Sequence, residues 1–360
     1  MTEGSLTGPV RIVGAGLLGT SIGLALRRLG IDVQLTDVSM ANLKIASGLG
    51  AGRASSTDGG PKAQLVVVAV PPDHIAAEIG DALESSDAVV TDVGSVKSQP
   101  LSQVGLRVSA ASLSRYVGSH PMAGSERSGP LAASAALFDG RPWALTPHAG
   151  SDPSALELVA TLARICGALP VTFTPEEHDQ AVARTSHVPH VLAALVAGRL
   201  TDAPAEHMVL SGQGVRDVTR IAAGDPALWE QILTANGAAL SSLLHEVRND
   251  LDRLLTAVER GERHPIADLL DRGVAGTAAI PGKHGGPVQE VSALFVAVPD
   301  HPGELARLLA DAGEIGVNVE DLRIDHDPAR PVGLVELSVA SDRVGLLQGS
   351  LEARAWTTHR

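Results

Sequence analysis

The stretch Val10-Arg-Ile-Val-Gly-Ala-Gly-Leu-Leu-Gly19 decides the fold of the first half of the chain. A short strand runs directly into a Gly-x-Gly-x-x-Gly pattern, and residues 17–29 then follow the helical period. The first glycine permits a tight turn, the second lets the backbone approach a pyrophosphate, and the third allows close packing of helix against strand. This order is typical of the first βαβ unit of a dinucleotide-binding domain.

Further strands are predicted at residues 33–37, 65–70, 88–92 and 116–119. The second of these is apolar throughout and ends at Pro71-Pro72, as expected of a parallel strand that is buried on both faces. Because strands and helices alternate over residues 9–173, we predict an α/β fold with a Rossmann-type doubly wound sheet. Its ligand should lie at the carboxyl ends of the strands.

The residues predicted to contact a cofactor lie at those strand ends. Asp37 follows the second strand, and its carboxylate is placed to accept hydrogen bonds from an adenosine ribose. Its charge would repel a 2′-phosphate, which favours NAD over NADP. The predicted cofactor-binding residues are Gly14, Ala15, Gly16, Leu17, Leu18, Gly19, Asp37, Val70, Pro71 and Ser95.

Two later loops carry side chains suited to catalysis. In Asp92-Val-Gly-Ser-Val-Lys97, the hydroxyl of Ser95 can orient an imidazole or bond a substrate oxygen, although a helix N-cap is an equal alternative. In His120-Pro-Met-Ala-Gly-Ser-Glu-Arg-Ser-Gly129, His120 ends a strand that the following proline prevents from continuing. Histidine is the side chain best suited to take a proton near neutral pH, and a buried structural histidine is the alternative.

Residues 174–272 change to a mainly helical pattern. Within Ser186-His-Val-Pro-His190, His187 and His190 share a helical face if the helix continues through Pro189. A metal site is an alternative for these histidines, but no His-Glu-x-x-His pattern and no nearby cysteine supports it.

The same region ends with a candidate anion anchor and an apolar stripe. Gly212-Gln-Gly-Val-Arg-Asp-Val-Thr-Arg220 ends on a guanidinium whose planar donors match a carboxylate, or which can pair with Asp217. The stripe is too long to leave in water, so we expect it to pack within its domain or against a second subunit. It comprises Leu240, Leu243, Leu244, Val247, Leu251, Leu254, Leu255 and Val258.

Beyond the helical region, Gly273–Pro287 is rich in Gly, Pro and Ala, which predicts a linker over residues 273–288. Residues 289–360 then restart in the order βαββα, typical of a small α+β, ferredoxin-like domain. Asp300-His-Pro-Gly303 precedes its first helix, and Gly316-Val-Asn-Val319 follows that helix.

Composition narrows the class of protein. The chain has 28 Lys and Arg against 41 Asp and Glu, a net charge of −13, which argues against a nucleic-acid partner. The single cysteine, Cys166, excludes an intrachain disulfide and fits a reducing compartment. Residues 1–9 lack the features of a signal segment, and no apolar run is long enough to span a membrane. We therefore expect a soluble, cytoplasmic protein with no membrane partner.

The glycine pattern, Gly94-Ser-Val-Lys97, the His120-Pro-x-x-Gly-Ser-Glu126 element and Ser186-His-x-Pro-His190 together resemble the prephenate dehydrogenase family of tyrosine biosynthesis. The resemblance covers residues 9–272. It implies NAD-dependent oxidative decarboxylation of prephenate to 4-hydroxyphenylpyruvate, with His120 and Ser95 as catalytic residues, and a helical domain that forms an intertwined homodimer. The substrate-binding residues that it implies are Ser125, Ser186, His187, His190, Arg216, Asp217 and Arg220.

Residues 289–360 resemble the ACT regulatory domain, which binds amino acids between subunits. This resemblance implies tyrosine as an effector, held by backbone amides at the turn and the start of the helix. The residues implied are Asp300, His301, Gly303 and Asn318. A purely structural dimerisation module is the alternative.

Three other functions remain open at this stage. Arogenate, in place of prephenate, would give tyrosine directly. A β-hydroxyacid dehydrogenase usually needs a lysine at the start of its helical domain, and all four lysines (Lys44, Lys62, Lys97 and Lys283) lie outside that segment. A non-catalytic amino-acid sensor on a dehydrogenase scaffold is the third.

Overall fold

Five short parallel strands form the central sheet of Met1–Thr256, the first of two units into which the chain folds. They are β1 (Val10–Val13), β2 (Val33–Thr36), β3 (Arg53–Ala54), β4 (Leu65–Val68) and β5 (Val89–Asp92). Their order is β3-β2-β1-β4-β5, which confirms the Rossmann-type sheet. All of β4 is buried, as its continuous apolar sequence predicts.

The computed structural model describes residues 5–55, 62–123, 128–280, 290–326 and 332–360. Helices connect the strands of the first sheet and cover its faces: α1 (Leu17–Arg28), α2 (Met40–Gly48), α3 (Pro72–Ser85), α4 (Ser98–Gly105) and α5 (Ala110–Leu113). Their apolar sides pack on the strands, so that side chains such as Ile22, Leu26 and Ile79 are fully buried.

A second sheet extends from the edge of β5. It contains β6 (Gly118–Pro121), β7 (Pro142–Thr146) and β8 (Leu169–Thr172), with α6 (Pro153–Ile165) before the last strand. A parallel bridge joins Tyr116, just before β6, to Val90 of β5. The chain therefore enters β6 in the direction of the parallel strands, toward the edge at which they end. The prediction that the strand stops before Pro121 was wrong, because Pro121 pairs with Trp143. The missing N–H is tolerated because β6 has no ladder on its other side at this point.

The rest of the first unit is helical. It contains α7 (Pro175–Val182), a π-helical turn (Ala183–His187), α8 (Val188–Thr201), α9 (Ala205–Met208), α10 (Gln213–Thr219), a 3-10 turn (Arg220–Ala223), α11 (Pro226–Ala235) and all but the last turn of α12 (Gly237–Arg260). Thr174 and Glu177 form a reciprocal capping box that fixes the start of α7. Of the helices described, none is long and apolar enough to cross a membrane.

The second unit, Ala257–Arg360, contains an antiparallel sheet covered by helices. After α13 (Arg263–Ala278) come β9 (Val291–Pro299), α14 (Glu304–Glu314), β10 (Asp321–His326), β11 (Val332–Ala340), α15 (Val344–Ala353) and β12 (Thr357–His359). The sheet order is β10-β11-β9-β12, so a final strand completes the predicted βαββα order to βαββαβ.

The linker prediction needs a correction at its start. Residues 273–278 continue α13 rather than leaving it, and the hydroxyl of Thr277 donates to the carbonyl of Gly273 over 3.1 Å. A glycine costs only about 1 kcal/mol relative to alanine inside a helix, so the two glycines of this stretch do not end it. Residues 281–288 of the predicted linker, and residue 289, lie outside the described residues.

Candidate active site

The glycine-rich loop after β1 leaves an open space beside its middle glycine. Gly14 has φ 103°, and a Cβ there would collide with the carbonyl oxygen of Ala69. A Cβ on Gly19 would collide with the carbonyl oxygen of Gly14, so α1 packs directly on the loop. Nothing lies within 4 Å of a Cβ placed on Gly16. Two glycines therefore bring backbone segments together, while the third keeps the surface accessible to a ligand.

The carboxylate of Asp37 lies at this loop. Its Oδ2 accepts a hydrogen bond from the amide of Ala15 over 2.6 Å, and its Oδ1 accepts from the amide of Ser39 over 2.6 Å. Gly16 caps α1 without a side chain, so the first amides of the helix, including those of Leu17 and Leu18, present partial positive charge. An open glycine, a helix N-terminus and a carboxylate at the end of β2 fit a dinucleotide.

The loops after β4 and β5 continue the same edge of the sheet. Val70 is half-buried, and Pro71 is exposed at the N-cap of α3. Ser95 is half-buried in the loop between β5 and α4. The adjacent amide of Gly94 donates to Asp92 Oδ2 over 2.9 Å, which folds the loop back on the end of its own strand.

A fully buried lysine fastens this loop to β6. The ammonium of Lys97 pairs with the carboxylate of Asp92 and donates to the carbonyl of Ser119 over 2.7 Å. The hydroxyl of Tyr116 donates to Asp92 Oδ1 over 2.8 Å. Burial lowers the pKa of Lys97, against the effect of Asp92, and burial together with Asp92 raises that of Tyr116. A buried ion pair adds little net stability, but it holds Ser119, the neighbour of His120, in register.

His120 is hydrogen-bonded to a second histidine and, through it, to a carboxylate. His120 Nδ1 lies 3.0 Å from His178 Nε2, and His178 Nδ1 lies 2.9 Å from Asp179 Oδ1. The amides of Lys97 and Ser98 each donate to the Asp179 carboxylate over 2.8 Å. Strand β6, helix α7 and the loop before α4 therefore meet in one polar chain.

Burial keeps the imidazoles of this chain neutral. The pKa of His120 is well below its usual value because of burial, and because charge on His178, Lys97 or His187 would oppose its protonation. Burial also lowers the pKa of His178, although the bond to Asp179 opposes that shift. For Asp179, burial opposes ionisation, but hydrogen bonds from His178 and the two amides hold its pKa below the ordinary value.

Two more histidines of α7–α8 lie beside this chain. The amide nitrogen of Asn236 donates to the carbonyl of Asp179 over 2.8 Å and lies 3.1 Å from His187 Nδ1. Burial lowers the pKa of His187 to about 4. The ring of His190 stacks on Trp229, with 3.5 Å between centroids. Within the described ranges, no group of three or more metal-ligating side chains is placed to hold an ion.

The helix does continue through Pro189, but only after widening. Ala183–His187 forms a π-helical turn, which contains Ser186 and precedes α8. A proline ring clashes with the carbonyl four residues earlier, so the wide turn lets the chain accept Pro189 without breaking. The turn leaves Ser186 half-buried, and it buries His187.

The predicted carboxylate anchor lies on a separate stretch of helix. Arg216 on α10 and Arg220 in the following turn are both exposed. Asp217, a possible partner of Arg220, instead accepts a hydrogen bond from Gln213 over 2.8 Å. Ser125 lies outside the described residues.

Sequence reasoning missed Asp179, Asn236 and the central place of Lys97. His178 and Asp179 occupy a polar, charged helix start, Pro175-Glu-Glu-His-Asp179, that reads as a solvated first turn. Their burial depends on distant contacts: 82 residues separate Asp179 from Lys97, and 58 residues separate His178 from His120. The sequence does carry one signal for Lys97, because it belongs to the same Gly94-Ser-Val-Lys97 element as Ser95.

The chemistry of this edge belongs to one class of protein. A dinucleotide that accepts a hydride leaves a proton to be taken from the substrate, and a neutral imidazole held by a neighbouring chain of hydrogen bonds can take it. His120 is such an imidazole, and it lies at the edge of the sheet where β1 and β5 also end. The fold and the site therefore define a dinucleotide-dependent dehydrogenase.

Comparison with known proteins identifies the family. Residues 22–172 match the nucleotide-binding domain of prephenate dehydrogenase, and residues 174–272 match its dimerization domain. The protein named probable prephenate dehydrogenase NovF from Streptomyces niveus is 38% identical over 357 residues, which cover 96% of this chain and 98% of that one. The chain belongs to the prephenate dehydrogenase family.

Solved structures agree with this assignment. The Aquifex aeolicus prephenate dehydrogenase in complex with hydroxyphenyl propionate and NAD+ is 28% identical, with a TM-score of 0.67, over 74% of this chain and 96% of that one. The Synechocystis arogenate dehydrogenase is 26% identical, with a TM-score of 0.62, over 74% of this chain and 98% of that one. The fold of about three quarters of the chain is thus that of solved prephenate and arogenate dehydrogenases.

Proposed function

We propose that this enzyme oxidises prephenate with NAD+ and releases 4-hydroxyphenylpyruvate and CO2. The observation that carries the proposal is the placement of His120, with a neutral imidazole hydrogen-bonded to His178 at the end of β6. Family membership and the names of two relatives that match most of the chain, from Streptomyces niveus and Bacillus subtilis, support prephenate as the substrate.

In this reaction the substrate loses a hydroxyl proton, a hydride and a carboxylate. NAD+, when bound, accepts the hydride from the carbon that bears the hydroxyl. His120 takes the hydroxyl proton on Nε2, the nitrogen not bonded to His178, and Ser95 donates to or accepts from the same oxygen. The ring carboxylate leaves as CO2 with its bonding electrons moving into the ring, and the aromatic product makes the step effectively irreversible.

The cofactor preference follows from Asp37. Its carboxylate, oriented by the amides of Ala15 and Ser39, accepts hydrogen bonds from an adenosine ribose and repels a 2′-phosphate. The bound NAD+ in the Aquifex aeolicus relative supports the same choice.

The substrate carboxylates need cations in an acidic chain. We assign Arg220 as the main anchor, because its guanidinium is exposed and Asp217 is engaged by Gln213. The other substrate-binding residues that we propose are Ser125, Ser186, His187, His190, Arg216 and Asp217. Arogenate, which carries an amino-acid side chain, is the second candidate substrate. The arogenate dehydrogenase among the structural relatives supports it.

The helical domain would form a homodimer. Residues 174–272 match a dimerization domain, and α12 leaves Leu251, Leu255 and Val258 exposed by more than half of their surface. An apolar stripe of this size is covered in stable proteins, and a second copy of the same helix is the partner that the family match supports.

The C-terminal module would be an ACT-type regulatory domain with tyrosine as its effector. Gly303, at φ 95°, caps α14 without a side chain, so the amides at the helix start are presented to solvent. Asp300 and His301 are exposed just before α14, and Asn318 is exposed after it. The side-chain amide of Asn318 donates to Glu320 over 2.6 Å. A carboxylate held at those amides is the contact that an amino acid needs.

The test is a direct assay of the purified full chain. With prephenate and NAD+, NADH absorbance should rise, with one CO2 released per NADH. The ratio of kcat/KM for prephenate to that for arogenate then decides between the two substrates. An inactive chain that binds tyrosine would instead identify a non-catalytic sensor and overturn the proposal.

A further inference from the structure

We propose that His178 and Asp179 are positioning residues, which fix His120 in the tautomer whose Nε2 is free to take the substrate proton. The inference deepens the proposed function and rests on it, because it concerns the same base. Neither residue has to touch the substrate for this role. The geometry behind it is a continuous chain of hydrogen bonds, 3.0 Å from His120 to His178 and 2.9 Å from His178 to Asp179.

Proton accounting along the chain leaves one arrangement. Backbone amides only donate, and both oxygens of Asp179 face amides: Oδ1 faces that of Lys97 and Oδ2 that of Ser98, each at 2.8 Å. The carboxyl group is therefore ionised, and it can only accept from His178 Nδ1. A neutral His178 with a proton on Nδ1 has a lone pair on Nε2, so His120 must donate to it from Nδ1. The remaining nitrogen, His120 Nε2, carries the lone pair.

The same chain stabilises the charge that catalysis creates. When His120 accepts a proton on Nε2, its Nδ1–H bond to His178 strengthens, because the donor becomes an imidazolium. Asp179 lies directly behind His178 and supplies the nearest negative charge along that chain. Opposing it are the ammonium of Lys97, which is paired with Asp92, and any positive charge on His187. Without Asp179, the positive groups around His120 would dominate.

Several independent contacts fix the position of Asp179. The capping box of Thr174 and Glu177 sets the start of α7, and the amide side chain of Asn236 donates to the backbone carbonyl of Asp179. The loop that carries Ser95 ends at Lys97 and Ser98, whose amides hold the carboxylate. One carboxylate thus connects the base, the Ser95 loop and the helical domain.

Nitrogen NMR of the full-length protein tests the tautomer without any substrate. With 15N-labelled histidine, and with His120→Asn to assign the signal, His120 in the wild type should show a protonated Nδ1 and an unprotonated Nε2. In Asp179→Ala the acceptor for His178 Nδ1–H is lost, so the direction of the hydrogen bonds along the chain is no longer fixed. His120 should then carry its proton on Nε2 in part of the molecules. Retention of the wild-type tautomer in this variant would overturn the proposal.

Kinetics supply a second readout. Asp179→Asn should lower kcat by about 10²–10⁴-fold, the range seen when an orienting carboxylate is lost from an acid–base catalyst. The acidic limb of kcat/KM should move to lower pH, because a lost negative charge makes the imidazole harder to protonate. A purely structural role would lower activity without moving that limb, and an unmoved limb with full activity counts against the proposal.

Controls separate this result from misfolding and from failure of the proposed function. Glu176→Gln removes an exposed carboxylate from the same turn of α7 and should change neither the tautomer nor the pH profile. If the Asp179 variants do not fold, His178→Gln leaves Asp179 on its two amides and should give a mixture of His120 tautomers with reduced kcat. An unchanged tautomer there overturns the proposal. If the wild type does not oxidise prephenate, the proposed function fails, while the NMR result still decides the tautomer.

Discussion

The amide of Ala15, within the glycine-rich loop, donates to the carboxylate of Asp37 at the end of β2 over 2.6 Å. The carboxylate therefore does two things at once. It holds the loop against the second strand, and it presents negative charge where an adenosine ribose is expected. The amide of Ser39, on the other oxygen, limits rotation of the side chain.

Asp37→Ser should reduce the preference for NAD+ over NADP+ by about 10- to 100-fold, which corresponds to the loss of one charge-assisted hydrogen bond. Measurement of kcat/KM for both cofactors checks the ratio. Asp32→Ser is the matched control, because Asp32 precedes the same strand and pairs with the exposed Arg53. A ratio that changes equally in both variants would remove Asp37 from the ribose site.

His120→Asn should lower kcat by about 10²–10⁴-fold, because the asparagine amide cannot take a proton from the substrate hydroxyl. NAD+ affinity, measured by fluorescence or calorimetry, should stay close to that of the wild type, since the glycine loop is unchanged. His148→Asn is a suitable control, since His148 bonds the carbonyl of Leu113 away from this chain. More than about a tenth of wild-type turnover in His120→Asn would exclude it as the base.

The doubly wound sheet was predictable because its signals are local. The strand Val10–Val13, the glycine spacing and the apolar run in β4 each determine a piece of backbone without distant contacts. The positions of Asp37, directly after β2, and of His120, near the end of β6, could be predicted for the same reason, since sequence periodicity locates both strands. The βαββα order of the C-terminal module was equally visible, apart from the short last strand.

The polar chain behind His120 was not predictable in the same way. Asp179 is buried only because α7 packs on the loop before α4, and 82 residues separate it from Lys97. A charged helix start looks the same in sequence whether solvent or protein surrounds it. The end of α13 was misjudged for a related reason, because glycine and alanine composition alone does not say whether a helix continues.

Arg220→Gln should raise KM for prephenate by about two orders of magnitude, because a charge-assisted contact of roughly 2–3 kcal/mol is lost. Affinity for NAD+ should barely change. Arg199→Gln, an exposed arginine of α8, provides the control for loss of one positive charge from the same domain. A normal KM together with a dissociated dimer would instead assign Arg220 to the subunit interface.

Because of its buried histidines, the protein should lose folding stability at pH values above those at which its carboxylates take up protons. His187 has a pKa of about 4 when folded and close to 6.5 when unfolded, so the unfolded chain binds the proton first as pH falls. The free energy of unfolding should reach its full value above a pH of about 6.5 and should decline toward a pH of about 4, with His187 alone contributing about 3 kcal/mol. Burial also lowers the pKa values of His120, His178 and His190, so these residues should add to the same pH dependence.

Urea unfolding at a series of pH values measures this dependence. His187→Gln should flatten the curve between those limits by about one proton, while an exposed histidine, changed as His264→Gln, should leave it unaltered. Equal slopes in the wild type and His187→Gln would show that His187 is solvated in the folded protein.

Tyrosine should inhibit the full chain through the C-terminal module. A ligand changes activity only through its different affinity for two states of the protein, so loss of its site removes the coupling. Asn318→Ala should weaken inhibition by about tenfold, the effect of one lost hydrogen bond to a charged group, and leave kcat without tyrosine unchanged. Asp342→Ala, at an exposed position in the turn before α15, is the control. Tyrosine also resembles the product, and competitive inhibition that is equal in both variants and in a chain truncated near residue 285 would place its binding in the active site instead.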